Sequence, residues 1–342
     1  MTIQADASIG LKQETTYGTA VVVDRFLEFT SETLDFDRDY YVGNGLRPGQ
    51  RAARSGRRVL TRDGGKGDIE LEAPSKGLGT FLQAIFGVGT STLVSTGLYQ
   101  QLFTPVHNDY LPSFTIQEGI PRLGANTVDT QTYRGAECES AEFSLSQNDV
   151  LKIKSTWRSK DVDLATAYAT PSYPTPIDLF SFVGASLVVG GTVTTPTATA
   201  LATGGTTVAN VRDFSLTYDN KLDDNKGNLG GQGKRTRQSA VQLADIKGKV
   251  TAEYDSTTFR DALAGNTGMA LVATFVAAAA ADITTGKKPT LQIYCPDIRF
   301  NGELAKVSGP DVTTQSMDFT AYSNLVAAEP IYVAVLTADT AL

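Results

Sequence analysis

The segment Gly67–Phe86, GDIELEAPSKGLGTFLQAIF, contains the two patterns on which the predicted fold depends. Its first part alternates polar and apolar residues, which is typical of a strand with one wet and one dry face. Four apolar residues then recur at helical spacing, behind Ser75 as a cap and before Gly87 as a stop. The segment therefore predicts a strand followed by a short helix over residues 75–86.

The same alternation recurs along the whole chain. Threonine, valine, alanine and glycine dominate the composition, and the β-branched residues among them favour pleated strands. A second short helix is predicted over residues 256–263. The sequence thus predicts a mainly β protein whose strands include Arg25–Thr30, Ala141–Leu145, Leu151–Trp157, Phe214–Tyr218 and Lys249–Tyr254.

The length and composition are those of a globular protein. A chain of 342 residues, 41% hydrophobic and 20% charged, is long enough for two domains with their own cores. No apolar run approaches the roughly 20 residues of a membrane helix, and the N-terminus lacks the pattern of a signal peptide. Synthesis in a cytoplasm is therefore expected. Cys138 and Cys295 could form one disulfide, but two buried free thiols are favoured.

An internal repeat is predicted from the order of the segments. In each half a strand leads into a long basic loop, a second strand and a short helix, and further strands follow. The loops are residues 40–65 and 223–237. The proline-rich run Pro171–Pro176 marks the seam, so we expect one module over residues 1–175 and a duplicated one over 176–342.

Templates for catalysis and metal binding do not fit this sequence. His107 is the only histidine and stands in a polar loop, without a nucleophile motif for it to activate. Gly230–Arg235 lacks the spacing of a phosphate-binding loop. Asp35, Asp37 and Asp39 imitate the start of a calcium loop without its glycine and closing glutamate, so we interpret them as a solvated acidic face. No active site, cofactor or metal is predicted.

A cluster of arginines stands out in a chain of formal net charge −7. Phosphate binding is one interpretation of such a cluster. However, no aromatic residue for base stacking lies between Leu46 and Arg62, and acids follow closely. Because arginine forms bidentate ion pairs at protein interfaces, contact with an acidic surface of another copy is favoured. The predicted inter-subunit residues are Arg47, Arg51, Arg54, Arg57, Arg58 and Arg62.

Several motifs resemble a known family, the tail tube proteins of long-tailed, non-contractile (siphovirus-type) bacteriophages. The resemblance extends over residues 9–161, and the second half is similar only through the repeat. The motifs that carry it are Leu11–Ala20, Arg25–Leu34, Gly45–Arg51, Gly67–Ala73 with the helix after it, Phe114–Arg122 and Tyr133–Trp157.

The resemblance implies two tandem modules of the tail tube β-barrel or β-sandwich type, each with one short flanking α-helix and a long hairpin loop. It implies rings of subunits that stack into a tube, with the loop bridging neighbours and DNA passing through without specific binding. Two modules per chain would give a trimeric, pseudo-sixfold ring, and a hexamer is the alternative. Other implied partners are the tape measure, tail terminator and tail tip proteins. The location would be the virion tail, assembled in the host cytoplasm, with no membrane partner. The acidic net charge of −7 predicts, in addition, an acidic wall along the channel.

Two other function classes remain open from the residues alone. A two-domain β-sandwich adhesion module of a virion or cell surface would be a stable monomer with the arginine loop as a local binding site. An enzyme would need a cluster of titratable residues in a pocket. The structural interpretation is favoured because the sequence offers no catalytic motif.

Overall fold

The computed structural model describes residues 4–124, 127–208, 210–224, 227–306 and 312–342, and within them the chain is mainly β, as predicted. The strands of the first half are β1 Ser8–Gln13, β2 Arg25–Leu27, β3 Ser31–Glu32, β4 Asp35–Phe36, β5 Asp39–Val42, β6 Arg58–Arg62, β7 Gly65–Glu72, β8 Gly87–Ser95, β9 Leu98–Pro105, β10 Phe114–Arg122, β11 Thr127–Leu145, β12 Lys152–Ser159 and β13 Asp161–Asp163. Those of the second half are β14 Ala185–Val189, β15 Val193–Thr194, β16 Thr203–Gly204, β17 Thr207–Val208, β18 Val211–Asp219, β19 Asp245–Glu253, β20 Met269–Val276, β21 Thr290–Asn301, β22 Thr314–Ala321 and β23 Tyr332–Thr337.

Two α-helices follow β7 and β19, in the places that the sequence predicts. The first, α1, spans Gly79–Phe86 and ends at Gly87, whose φ of 92° suits glycine. It begins later than predicted because Ser75 does not cap it: the Ser75 hydroxyl accepts a hydrogen bond from the Asp178 amide at 3.1 Å. The second, α2, spans Thr258–Gly265. Short 3-10 turns occupy Gln4–Asp6, Ser55–Arg57 and Phe182–Gly184.

A central sheet runs through both halves of the chain. Its order is β3 and β4, then β7, β12, the C-terminal part of β11, β18, β19, β22 and the end of β21. The first and second halves meet where β11 pairs with β18, from Ser140 opposite Asp219 to Leu145 opposite Phe214. All these pairings are antiparallel.

Each half adds a second set of pairings to its part of the central sheet. In the first half β2, β1, β10, the N-terminal part of β11 and β13 are neighbours in that order. In the second half the order is β17, β14, β20, β21 and β23. The hairpin β8–β9 of the first half extends this last set, since β9 pairs with β23. Among the described residues the pairings are open and close no barrel, which differs from the barrel that the resemblance allows.

The core lies between these sheets and beneath the helices. Phe86 at the end of α1 contacts Phe143 of β11 and Tyr218 of β18, with ring centroids 6.3 and 4.9 Å apart. The Asn220 side-chain amide donates hydrogen bonds to the carbonyls of Ile85 and Cys138, at 2.9 and 3.0 Å. The two halves therefore share one continuous core at the β11–β18 seam.

Candidate assembly surfaces

A basic hairpin projects from the first half between β4 and β7. We call residues 39–62 the arm; β5 and β6 pair within it, from Val42 opposite Arg58 to Asp39 opposite Arg62. Every residue of both strands except Arg62 is exposed, and each strand pairs only with the other among the described residues. The predicted loop of residues 40–65 is thus a short hairpin, β5 and β6, that carries a long tip over residues 43–57.

The arginines near the tip of the arm lie on its surface. Arg47 and Arg51 are exposed. Arg54 donates a long hydrogen bond of 3.4 Å to the Gly45 carbonyl. The Arg57 guanidinium lies so close to Gly45 that a side chain there would collide with it. Among the described residues, Arg47, Arg51, Arg54 and Arg57 form no ion pair, so the tip keeps its positive charge.

The two arginines of β6 differ in their surroundings. The Arg58 guanidinium stacks on the Tyr40 ring, 3.4 Å from its centroid, and stays on the exposed arm. Arg62 lies at the base of the arm, where it forms ion pairs with Asp37 and with Asp224 of the second half, the latter at 3.1 Å. Five of the six predicted residues are therefore on the arm surface, whereas Arg62 is held within its own chain.

An ion-pair cluster fixes the base of the arm to the second half. Arg235, only 3% exposed, pairs with Asp37 and with Asp224, and Arg158 joins Asp224 at 2.5 Å and Glu139 at 2.6 Å. Asp37 is itself 6% exposed, so its predicted place on a solvated acidic face is wrong, whereas Asp35 and Asp39 are exposed as predicted. The alternation of residues predicted that the three aspartates share one face, but it could not predict that Arg235, distant in sequence, would pair with Asp37 and bury it.

One face of the central sheet carries polar side chains from both halves. Because paired residues stand opposite each other, its side chains form rows across the strands. One row is Glu70, Lys154, Glu142, Thr217, Lys247, Thr320 and Arg299. The next is Glu72, Lys152, Ser144, Ser215, Lys249, Asp318 and Asn301. The face thus mixes both signs and is not uniformly acidic.

Both ends of the central sheet are open edges. At one end β3 and β4 pair only with β7 among the described residues. At the other end Arg299–Asn301 of β21 pair only with β22 within the same part of the chain. An unpaired edge exposes backbone donors and acceptors that another strand can use. The two edges are therefore candidate surfaces for sheet pairing with other chains.

A groove of about 1170 Å³ lies beside the β3 edge, and we call it the β3 groove. Its charged lining residues are Glu28, Glu32 and Glu118, and its lining contains no lysine or arginine. Apolar contributions come from Leu27, Phe29, Ile120, Pro121, Leu123 and Tyr173. Glu118 is 4% exposed, so a carboxyl group is buried here beside a second one.

Burial, together with repulsion by the neighbouring Glu32 carboxylate and a hydrogen bond to it, raises the pKa of Glu118 to about 8. In the unfolded chain Glu118 ionises near its ordinary pKa, whereas in the folded chain it keeps its proton until about pH 8. Folding therefore takes up a proton between these values. The stability that Glu118 contributes is complete below the ordinary pKa and is lost as the pH rises toward 8.

We expect Glu118→Gln to flatten the dependence of the unfolding free energy on pH between about 5 and 8, because the amide does not ionise. Urea unfolding of the unassembled protein at several pH values measures this. Glu28→Gln, an exposed position in the same groove, should leave the wild-type slope unchanged. A Glu118→Gln curve parallel to that of the wild type would show that Glu118 is ionised in the folded protein.

The remaining candidates for chemistry are dispersed or enclosed. Cys138 and Cys295 are buried free thiols in different strands, and burial raises the pKa of each. His107 pairs with Glu329 at 2.8 Å on the surface. The described ranges contain no group of three or more His, Cys, Asp or Glu residues that could hold a metal ion. Within those ranges no helix has the length and apolar character needed to span a bilayer.

Open sheet edges, a basic arm and a broad polar sheet face are features of structural proteins that associate through their surfaces. The sequence profile of one such family, described as phage tail tube protein, matches residues 4–321. The chain therefore belongs to the phage tail tube protein family, and its role is that of a structural component of the tail tube. Curated proteins include none that matches the sequence significantly. Membership implies self-assembly into a tube within a virion.

Proposed function

We propose that this protein is the major tail tube subunit of a siphovirus-type phage, and that copies join side by side into rings through the open edges of the central sheet. The observation that carries the proposal is the β11–β18 seam, at which the chain already joins two sheets edge to edge. Pairing of β3 and β4 with the end of β21 in the next copy repeats that joint. Stacked rings then form the conduit for DNA during ejection.

The order of the pairings supports two tandem modules, at about residues 1–175 and 176–342. In the first half the neighbours are β2, β1, β10, β11, β12, β7 and then β3 with β4. In the second they are β17, β14, β20, β21, β22, β19 and β18. Both sets arise from strands in the same chain order, as a duplication would leave them. Three such chains make a pseudo-sixfold ring, in preference to a hexamer.

The polar face of the central sheet is the candidate channel wall. Its opposite face packs into the core, so a sheet that curves into a ring turns one polar face inward to the lumen. Alternating carboxylates and lysines then line the channel, in place of the acidic wall expected from net charge. Such a wall offers DNA no continuous basic track, which suits passage without specific binding.

Rings and short tubes seen by negative-stain electron microscopy of the purified protein test the proposed function. Threefold-symmetric rings with pseudo-sixfold outlines are expected, with a trimer mass in solution at high concentration. A protein that remains monomeric at every concentration and salt level would favour the adhesion module instead. Copurified tape measure, terminator and tip proteins are the expected partners of tubes assembled in the host cytoplasm.

The arm is the proposed bridge between rings, and its exposed arginines supply the contact. We expect replacement of Arg51, Arg54, Arg57 and Arg58 by serine to prevent stacking while rings and the fold persist, because removing exposed charges at an interface lowers association. Sedimentation and microscopy measure tube length. Raising the salt concentration should shorten wild-type tubes in the same way.

The matched control replaces Arg260 and Lys287, exposed basic residues outside the arm and the β3 groove, by serine in one variant, and stacking should survive. Wild-type tube lengths from the four-serine variant would overturn the role of the arm. Loss of single rings as well would show that the arm acts within a ring.

A further inference from the structure

The β3 groove has a counterpart in the second half of the chain. A cavity of about 490 Å³ lies beside β18. Its lining corresponds position by position to that of the β3 groove. Val183 and Ala185 match Ala5 and Ala7, Val211–Phe214 match Phe29–Glu32, and Ala273 and Phe275 match Glu118 and Ile120. Unlike the β3 groove, the counterpart is also lined by residues of the other half, Leu145 and Asn148.

The correspondence follows from the strand registers. Ile69 of β7 and Val250 of β19 each lie two residues after a glycine, Gly67 and Gly248, and they stand opposite Glu32 and Phe214 respectively. Glu118 and Ala273 each lie two residues beyond a shift of register, at Ile116 in β10 and at Leu271 in β20. Position by position, Glu32 and Glu118 of the β3 groove are replaced by Phe214 and Ala273 in the second half.

Comparing the strand registers in the same way identifies the second-half residue that is equivalent to Leu145. Leu145 is 4% exposed and stands opposite Phe214. Ser155 and Met317 are equivalent because they stand opposite Ile69 and Val250. Ala141 stands opposite Ser155, and Leu145 lies four residues beyond Ala141. Phe300 stands opposite Phe319, so continuing that register one residue past the last pair, Asn301 and Asp318, places Gly302 opposite Met317 and Lys306 four residues further.

We propose that Gly302–Lys306 of one copy enters the β3 groove of a neighbouring copy, antiparallel to β3 and β4, with the Lys306 ammonium group between the Glu32 and Glu118 carboxyl groups. This joint rests on the proposed side-by-side assembly and names the residues that seal it. Leu304 then stands opposite Leu34 of the neighbour, as Phe143 stands opposite Leu216 inside the chain.

In each of the two joints, the inserted side chain has the chemical character of the groove that receives it. Inside the chain an apolar Leu145 meets an apolar pair, and between chains a lysine meets an acidic pair that no base in the groove neutralises. Leu304 is 58% exposed, so its burial at the joint is favourable. Lys306 pairs only with Glu303 among the described residues, and both side chains are 74% exposed. A surface pair of this kind is weak and releases the lysine at little cost.

A charge exchange tests the joint. Lys306→Glu alone and Glu32→Lys alone should each raise the protein concentration needed for ring formation at least about tenfold, because each places like charges together. The double variant should restore assembly toward the wild-type concentration. Lys287→Glu, at an exposed lysine outside the segment, is the control and should assemble as the wild type does. Sedimentation velocity and electron microscopy measure assembly, and urea unfolding checks that each variant is folded.

The outcomes separate this joint from the proposed function. If the wild type forms rings and both single variants form them equally well, the joint is overturned and the tube role stands. If the single variants fail and the double variant also fails, the pairing of Lys306 with Glu32 is overturned. If the wild type forms no rings under any condition, the side-by-side assembly itself is wrong.

Discussion

Replacing Phe86 by alanine should lower the free energy of unfolding by about 3–5 kcal/mol, the usual cost of removing a large buried aromatic side chain. Phe86 is fully buried at the end of α1 and contacts Phe143 and Tyr218, which belong to different halves of the chain. The cavity would therefore open at the β11–β18 seam. Urea unfolding followed by tryptophan fluorescence measures the change, since the single tryptophan, Trp157, is buried in the same core.

Tyr41→Ala is the control for this variant. Tyr41 is 57% exposed on the arm, and its removal should change the unfolding free energy by less than about 0.5 kcal/mol. A loss below about 1 kcal/mol for Phe86→Ala would mean that the surrounding residues close the cavity, and that the seam is less tightly packed than the ring contacts indicate.

Asp37→Ala should cost about 3 kcal/mol of stability, near the lower end of the range for breaking a buried ion pair. The buried Arg235 guanidinium would lose its closest carboxylate and keep only Asp224, and Arg62 and Lys66 would lose the same partner. Because this cluster holds the base of the arm, the arm should also become more accessible. Urea unfolding measures the first effect, and limited proteolysis at the arm arginines measures the second.

The matched control is Asp24→Ala, which removes an exposed carboxylate paired with Lys12 at 2.7 Å. An exposed pair contributes little, so the change should stay under about 1 kcal/mol. Equal losses for the two variants, or unchanged proteolysis of the arm in Asp37→Ala, would contradict the anchoring role of the cluster.

Local patterns predicted the mainly β class and the places of both helices. The alternation of Asp68–Glu72 and Leu151–Trp157 depends only on which side chains face the core, and the two segments form β7 and β12. The stop at Gly87 is equally local, because a positive φ favours glycine. These features follow from a few neighbouring residues, which is why one sequence suffices to predict them.

Contacts between distant segments were outside the reach of such patterns. Asp37 is buried because Arg235 reaches it across 198 positions of sequence, and alternation carries no sign of that partner. Ser75 likewise accepts a hydrogen bond from the Asp178 amide instead of capping the helix, and the partner is again distant in sequence. The β3 groove and its buried Glu118 are likewise built from β2, β3 and β10, which only the folded chain brings together. For the candidate site, sequence predicted the basic arm but not its anchor.

The pairing of β9, a strand of the first half, with β23 of the second half has a consequence for how the tube can be built. Its strand leaves the first half and completes the sheet of the second against β23, from Tyr99 opposite Thr337 to Phe103 opposite Val333. Dividing the chain at the proline-rich segment would separate the β8–β9 hairpin from β23, so neither fragment would keep all the strands of its sheet. Each half of the chain therefore depends on the other to complete its sheet, so the tube is built from whole chains.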